Sequence, residues 1–165
     1  MNDVMKSEVS RLRSRVTELK ARIQELEKDT KRPMVGVAVF IVRDGHILMS
    51  KRLKGNGAGQ YGLPGGHMEH GEAPEQCCER EAKEETGLDV YDIKFLTVVN
   101  KSVLENGKHY ITLFFKAKCL LGSQPKDREP KKHGPWIWYP TNDLPSPCFE
   151  DFDRLIKEYF GKETR

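Results

Sequence analysis

Three carboxylates, Glu81, Glu84 and Glu85, stand at positions i, i+3 and i+4 of the run Arg80-Glu-Ala-Lys-Glu-Glu85. That spacing gathers side chains within about one helical turn. Residues 73–86 read as a helix, with Pro74 suited to its first turn and Gly87 to the position after its last. On a wheel, Glu84, Cys77, Glu81, Glu85, Cys78 and Ala82 share an arc of about 160°, while Glu75, Thr86, Glu79, Lys83, Gln76 and Arg80 take the opposite, wetter arc. A Glu-rich helix ordinarily turns its acids to solvent. Here the acids share a face with thiol and methyl side chains that pack inward, and a Gly-rich loop, Lys54 to Gly66, comes shortly before the helix. Carboxylates this close repel one another, and partial desolvation adds to the cost. A hard divalent cation removes both costs, and an all-oxygen set suits Mg²⁺, with Mn²⁺ as the alternative.

Mg²⁺ held by a few carboxylates keeps open positions for water and for phosphate oxygens of a substrate. The sequence has no GxxxxGK[ST] loop, no GxSxG elbow and no HExxH pair. Attack of water on a phosphoanhydride therefore fits better than transfer to a bound nucleotide. Lys51 and Arg52, at the end of a β-like segment and before the Gly-rich loop, are candidates to meet substrate phosphates. Gly65 and Gly66 allow the backbone a close approach to phosphate or metal. His67 reads as a substrate or structural contact, since Mg²⁺ takes oxygen ligands.

The elements that must position these residues follow from periodicity. Met34 to Val42 is a β-branched run ending at Asp44-Gly45, a turn dipeptide, and His46 to Arg52 follows as the return strand of a hairpin. Ile93 to Val103, Tyr110 to Leu121 and the short Trp136 to Tyr139 read as further strands, and Phe149 to Phe160 as a closing helix. Gly122 to Pro135 reads as a long polar loop. Trp136 and Trp138, two apart on a strand, read as packing. The fold class is α/β.

Ahead of this body lies a different pattern. Met5, Val9, Leu12, Val16, Leu19, Ile23 and Leu26 recur at alternating spacings of four and three, a heptad with β-branched residues at a and Met or Leu at d, which favours a parallel two-stranded coil. Glu8 facing Arg13 and Arg22 facing Glu27 of a partner are attractive, whereas Arg15 facing Lys20 is not. A single amphipathic helix lying on its own domain is the other reading. Asp29 to Pro33 breaks the heptad, so residues 1–32 are expected to form a helical arm and linker and residues 33–165 the catalytic domain.

The net charge of +3 lies within residues 1–33, and the rest of the chain is balanced. A neutral body argues against duplex nucleic acid as a partner. The longest apolar stretch, Val35 to Val42, is far below the roughly 20 residues of a membrane span. The charged start shows no secretory signal. A cytoplasmic protein is expected, with Cys77, Cys78, Cys119 and Cys148 as reduced structural thiols.

Gly66, five residues, Glu72, seven residues and then Arg80-Glu-Ala-Lys-Glu-Glu-Thr-Gly-Leu88 resembles the Nudix box, GX5EX7REUXEEXGU with U a bulky aliphatic. Every fixed position matches; Ala82 at the first U position is the one departure. The resemblance extends from about Pro33 to Phe160, through GQYGLPGGHMEHGE, VVN, HYIT and WIWYPTNDLP, to the branch that hydrolyses nucleoside triphosphates, including oxidised purine nucleotides such as 8-oxo-dGTP. It implies a mixed sheet sandwiched between helices. It implies Glu81 and Glu85 as the main Mg²⁺ ligands, Glu84 as a further ligand or the base, and Arg80 with Glu72 as a positioning pair. It places Arg52 on the phosphates and Leu63, Thr112, Phe149 and Phe152 at the base pocket, and relatives of this branch form homodimers. ADP-ribose hydrolases of the superfamily carry a proline some fifteen residues after the box and dinucleoside polyphosphate hydrolases a tyrosine near it. Lys101 to Gly107 contains neither. A prenyl diphosphate substrate stays open, as does a catalytically silent adaptor, although the box glutamates are all present.

Overall fold

The computed structural model describes residues 3–30, 32–101, 107–149 and 152–160. In chain order these form α1 (Asp3–Thr30), β1 (Met34–Arg43), β2 (His46–Lys51), β3 (Tyr61–Gly62), α2 (Pro74–Thr86), β4 (Val90–Lys101), β5 (Tyr110–Cys119), β6 (Ile137–Pro140) and α3 (Phe152–Phe160). The chain divides into two compact units, residues 1–34 with 102–110, and residues 35–101 with 111–165. Ser102 to Asn106, which include Val103 and the centre of the marker region read above, lie outside the described residues.

The larger unit is built on a mixed sheet in the order β3-β2-β1-β5-β4, with β6 beside β2. β1 and β2 form the expected hairpin, closed by Asp44 (φ 49°) and Gly45 (φ 72°). Two successive positive φ values match the twist of the flanking strands, which is why an Asp-Gly pair serves there. Because strand side chains alternate, β1 feeds two cores. Val37, Val39 and Ile41 pack with Cys77, Cys78 and Ala82 of α2. Ala38 and Phe40 pack with Phe152, Leu155, Ile156 and Phe160 of α3. The sheet therefore lies between two helices.

Several boundaries differ from the sequence reading. α3 begins at Phe152, leaving Phe149 in the preceding loop. Trp136 precedes β6, yet both tryptophans pack on the α2 side, as expected. All four cysteines are free, three of them buried. Among the described residues no helix is long and apolar enough to cross a membrane.

In α1, Met5, Val9, Leu12, Val16, Leu19, Ile23 and Leu26 are each between 40 and 60% exposed.

Candidate active site

α2 is fixed at both ends by its own sequence. Ala73 N–H donates to the Gln76 side chain (2.9 Å), Pro74 occupies the first turn, and Gly87 closes the helix in the left-handed conformation (φ 73°), donating to Lys83 O. Its inward stripe of Cys77, Cys78 and Ala82 is fully buried. Small side chains let the helix sit close to the sheet, and that brings the neighbouring glutamates into partial burial.

The loop after β3 meets those glutamates. Val39 N–H donates to Pro64 O and Val37 N–H to Gly66 O, both at 2.9 Å, so the Pro64–Gly66 backbone runs against β1. A Cβ on Gly65 would overlap the Val37 carbonyl oxygen, and one on Gly66 would overlap the Glu81 carboxylate. Gly65 N–H donates to Glu85 Oε2 (3.1 Å). The two glycines thus touch both glutamates.

Arg80 gathers the remaining acids. Its Nε and Nη2 donate to the two oxygens of Glu72 (2.8 and 3.0 Å), and its Nη1 donates to Glu81 (2.7 Å) and Glu84 (3.4 Å). The Arg80 hydrogen bonds hold the Glu72 carboxyl down at about 2, with help from the Glu69 N–H. The guanidinium is correspondingly held above its usual value. The wheel placed Arg80 on the wet arc; a wheel locates Cβ, and this long side chain turns back toward the acids. Thr86, also on that arc, is fully buried, because Lys126 N–H closes over it by donating to its carbonyl (2.7 Å).

The three box glutamates differ in surroundings. Glu81 and Glu85 side chains are 13% and 7% exposed, Glu84 58%. Burial pushes the Glu81 carboxyl above the ordinary range, opposed by Arg80 and reinforced by repulsion from Glu85 and Glu84. A carboxylate disfavoured in this way is one that a cation would stabilise, and the all-oxygen donor set fits a hard divalent ion. Burial and the adjacent Glu72 raise the Cys77 thiol to about 12, which leaves it protonated and outside the chemistry.

The structure adds residues that sequence reasoning missed. Glu85 Oε1 lies 3.0 Å from His133 Nε2, and the Trp136 indole N–H donates to the Glu85 carbonyl (3.1 Å). Glu85, Glu129 and His133 each offer a ligand atom within 4.8 Å of the other two. Lys132 Nζ donates to Glu129 (2.7 Å), and Glu129, Glu85 and Glu81 together raise its ammonium. Glu129, Lys132 and His133 lie in the stretch read as a polar loop, and no local spacing links His133 to Glu85, 48 residues away.

Other expected residues fall at varied places. Arg52 lies with its guanidinium 4.8 Å from the Phe149 ring centroid and donates Nε–H to Asn56 O. Leu63 and Phe152 are core side chains, 4% and 3% exposed, and Phe152 packs edge-on to Phe40 and Phe114. Thr112 is half-buried on β5. His67 is exposed, and its carbonyl accepts from Arg80 Nη2 (3.0 Å).

Residues 32–160 match the Nudix domain, and the chain belongs to that family. It is 33% identical over 127 residues to an ADP-ribose pyrophosphatase of Methanocaldococcus jannaschii, covering 77% of this chain and 73% of that protein. It is 35% identical over 117 residues to the mouse 8-oxo-dGDP phosphatase NUDT18, covering 68% of this chain but only 34% of that one. The crystal structure of a MutT Nudix hydrolase from Burkholderia pseudomallei superposes with a TM-score of 0.70 at 35% identity, over 77% of this chain and 97% of that one. Fold, box and relatives together define a Nudix pyrophosphohydrolase of the nucleotide-pool type.

Proposed function

We propose that the protein hydrolyses a purine nucleoside triphosphate with an oxidised or otherwise modified base to the monophosphate and diphosphate. The observation that carries this is the pair of partly buried glutamates, Glu81 and Glu85, set against the Gly65-Gly66 backbone and flanked by the exposed Glu84. Glu81 and Glu85, with Glu84, would hold Mg²⁺ or Mn²⁺, which when bound neutralises charge on the phosphate oxygens. Water attacks the β-phosphorus, its proton passes to Glu84, and the α,β-bridging oxygen leaves with the monophosphate. Arg80, anchored on Glu72, keeps the Glu81 carboxylate in place. Arg52 meets the phosphates, and Phe149, already stacked on a cation, lies at the base pocket with Thr112. His67 and the two glycines line the approach.

The ADP-ribose reading is favoured by a specific observation, the similarity to a pyrophosphatase of that substrate over most of its length. Comparing kcat/KM for 8-oxo-dGTP, the ordinary triphosphates, ADP-ribose and geranyl diphosphate decides among them. The proposal expects a modified purine triphosphate to lead. Preference for ADP-ribose or geranyl diphosphate overturns it, and absence of turnover on all of them supports the adaptor role.

The arm is assigned to self-association: the β-branched a and Met/Leu d seam of α1 pairs with the same seam of a second copy, giving a homodimer.

A further inference from the structure

Glu85 lies in the last turn of α2, where the helix dipole disfavours negative charge, and its side chain is nearly enclosed. A carboxylate so placed requires donors. Arg80 is committed to Glu72, Glu81 and Glu84. Among the described residues the donors to Glu85 are Gly65 N–H on Oε2 and His133 Nε2 on Oε1. An ionised carboxylate only accepts, so His133 Nε2 carries the hydrogen. The other ring nitrogen agrees: Nδ1 is buried without a partner, and a lone pair there costs less than an unsatisfied N–H.

His133 is itself held firmly. Its flanks are tied to the end of β2, by Leu53 N–H to Lys132 O and Gly134 N–H to Lys51 O, both 2.8 Å, and Ser50 Oγ donates to Gly134 O (2.7 Å). Its ring packs on Trp136 with centroids 5.4 Å apart. Trp136 in turn holds the Glu85 main chain. One segment therefore grips Glu85 by both its carboxylate and its backbone.

We propose that His133 is a positioning residue, whose Nε2–H fixes the Glu85 carboxylate in the orientation from which it binds the divalent cation. This rests on the assignment of Glu85 as a metal ligand. Partners of ligating carboxylates contribute in this way because they restrict the rotamers of the ligand before the ion arrives.

The test is Mn²⁺ binding to the full-length protein, followed by the electron paramagnetic resonance signal of free Mn²⁺, with metal-free thermal stability measured alongside. A glutamine at position 133 can place its amide N–H where Nε2 stands, and an asparagine is too short. His133→Gln is expected to bind close to wild type, His133→Asn about 10- to 100-fold more weakly, and Glu85→Gln more weakly still. His133→Met, similar in bulk but without a donor, carries the same expectation as Asn should Asn weaken the fold. Equal weakening by Gln and Met reduces His133 to a packing role and overturns the proposal. Wild-type binding by Met or Asn while Glu85→Gln is impaired overturns it too, leaving Glu85 a ligand. Wild-type binding by Glu85→Gln overturns the metal assignment itself.

Discussion

α1 and α2 are both highly charged helices with one apolar stripe, and they end in opposite environments. α1 carries large stripe residues, Val, Leu and Ile, all of them exposed. α2 carries two cysteines and an alanine, all fully buried. Stripe size and amphipathicity therefore do not decide which helix is buried within its own chain. What α2 has is small residues against the pleated face of β1 and fixed ends, and its closeness to the sheet sets Glu81 and Glu85 at the boundary between core and solvent. Glutamates of α1 such as Glu8 and Glu18 are exposed. Acids that are held and partly dehydrated are the ones a cation would stabilise, and numbers of acids alone do not supply that.

Breaking the hold on the α2 acids should have the largest effect. Arg80→Met removes the cation shared by Glu72, Glu81 and Glu84 and is expected to lower turnover on the order of 100-fold. It also changes the acid limb of stability. With its carboxyl held at about 2, against an ordinary 4.5, Glu72 takes up a proton in the unfolded chain first. Its contribution is thus fully present above pH 4.5 and is lost as the pH falls toward 2. Urea melts between those values should show that dependence in wild type and a flatter one in Arg80→Met.

The adjacent glycines separate holding the fold from holding the site. Gly65→Ala meets backbone, the Val37 carbonyl, which cannot retreat, and should cost about 1–3 kcal/mol in urea denaturation. Gly66→Ala meets the movable end of Glu81 and should leave stability nearly unchanged while weakening Mn²⁺ binding by about tenfold.

The smallest effect on chemistry is expected in α1. Leu12→Asp with Leu19→Asp should leave turnover unchanged while lowering the mass by light scattering, or the thermal stability at low concentration, relative to wild type, with a chain starting at Pro33 measured alongside. If neither moves, the arm is a solvated helix or one that packs on its own domain.

Much of this was legible in the sequence because it rests on local rules. The α2 bounds follow from Pro74 and Gly87, and the hairpin from Asp44-Gly45. The Glu72–Arg80 pair was readable from the box resemblance alone. The enclosure of Glu85 was not, since it depends on His133 and Trp136 arriving from a loop with no periodicity. Leu63 and Phe152, expected at the base pocket, are buried in the core on the α3 side, and an apolar side chain at a sheet–helix interface suits either role equally well in sequence. Phe149 precedes α3 in the chain, and its ring meets both Arg52 and Phe152.

The most direct test of the α2 acids as the catalytic metal site is Glu81→Gln, with turnover at saturating Mg²⁺ and metal-free melting at pH 7 measured on the same preparation. Because its folded-state carboxyl is raised, ionised Glu81 works against folding, and that penalty grows as the pH rises through the folded value. Replacing it by a neutral amide that still accepts from Arg80 is predicted to raise the metal-free Tm while lowering turnover on the order of 100-fold or more. Turnover near wild type would contradict the account, whatever the melt shows.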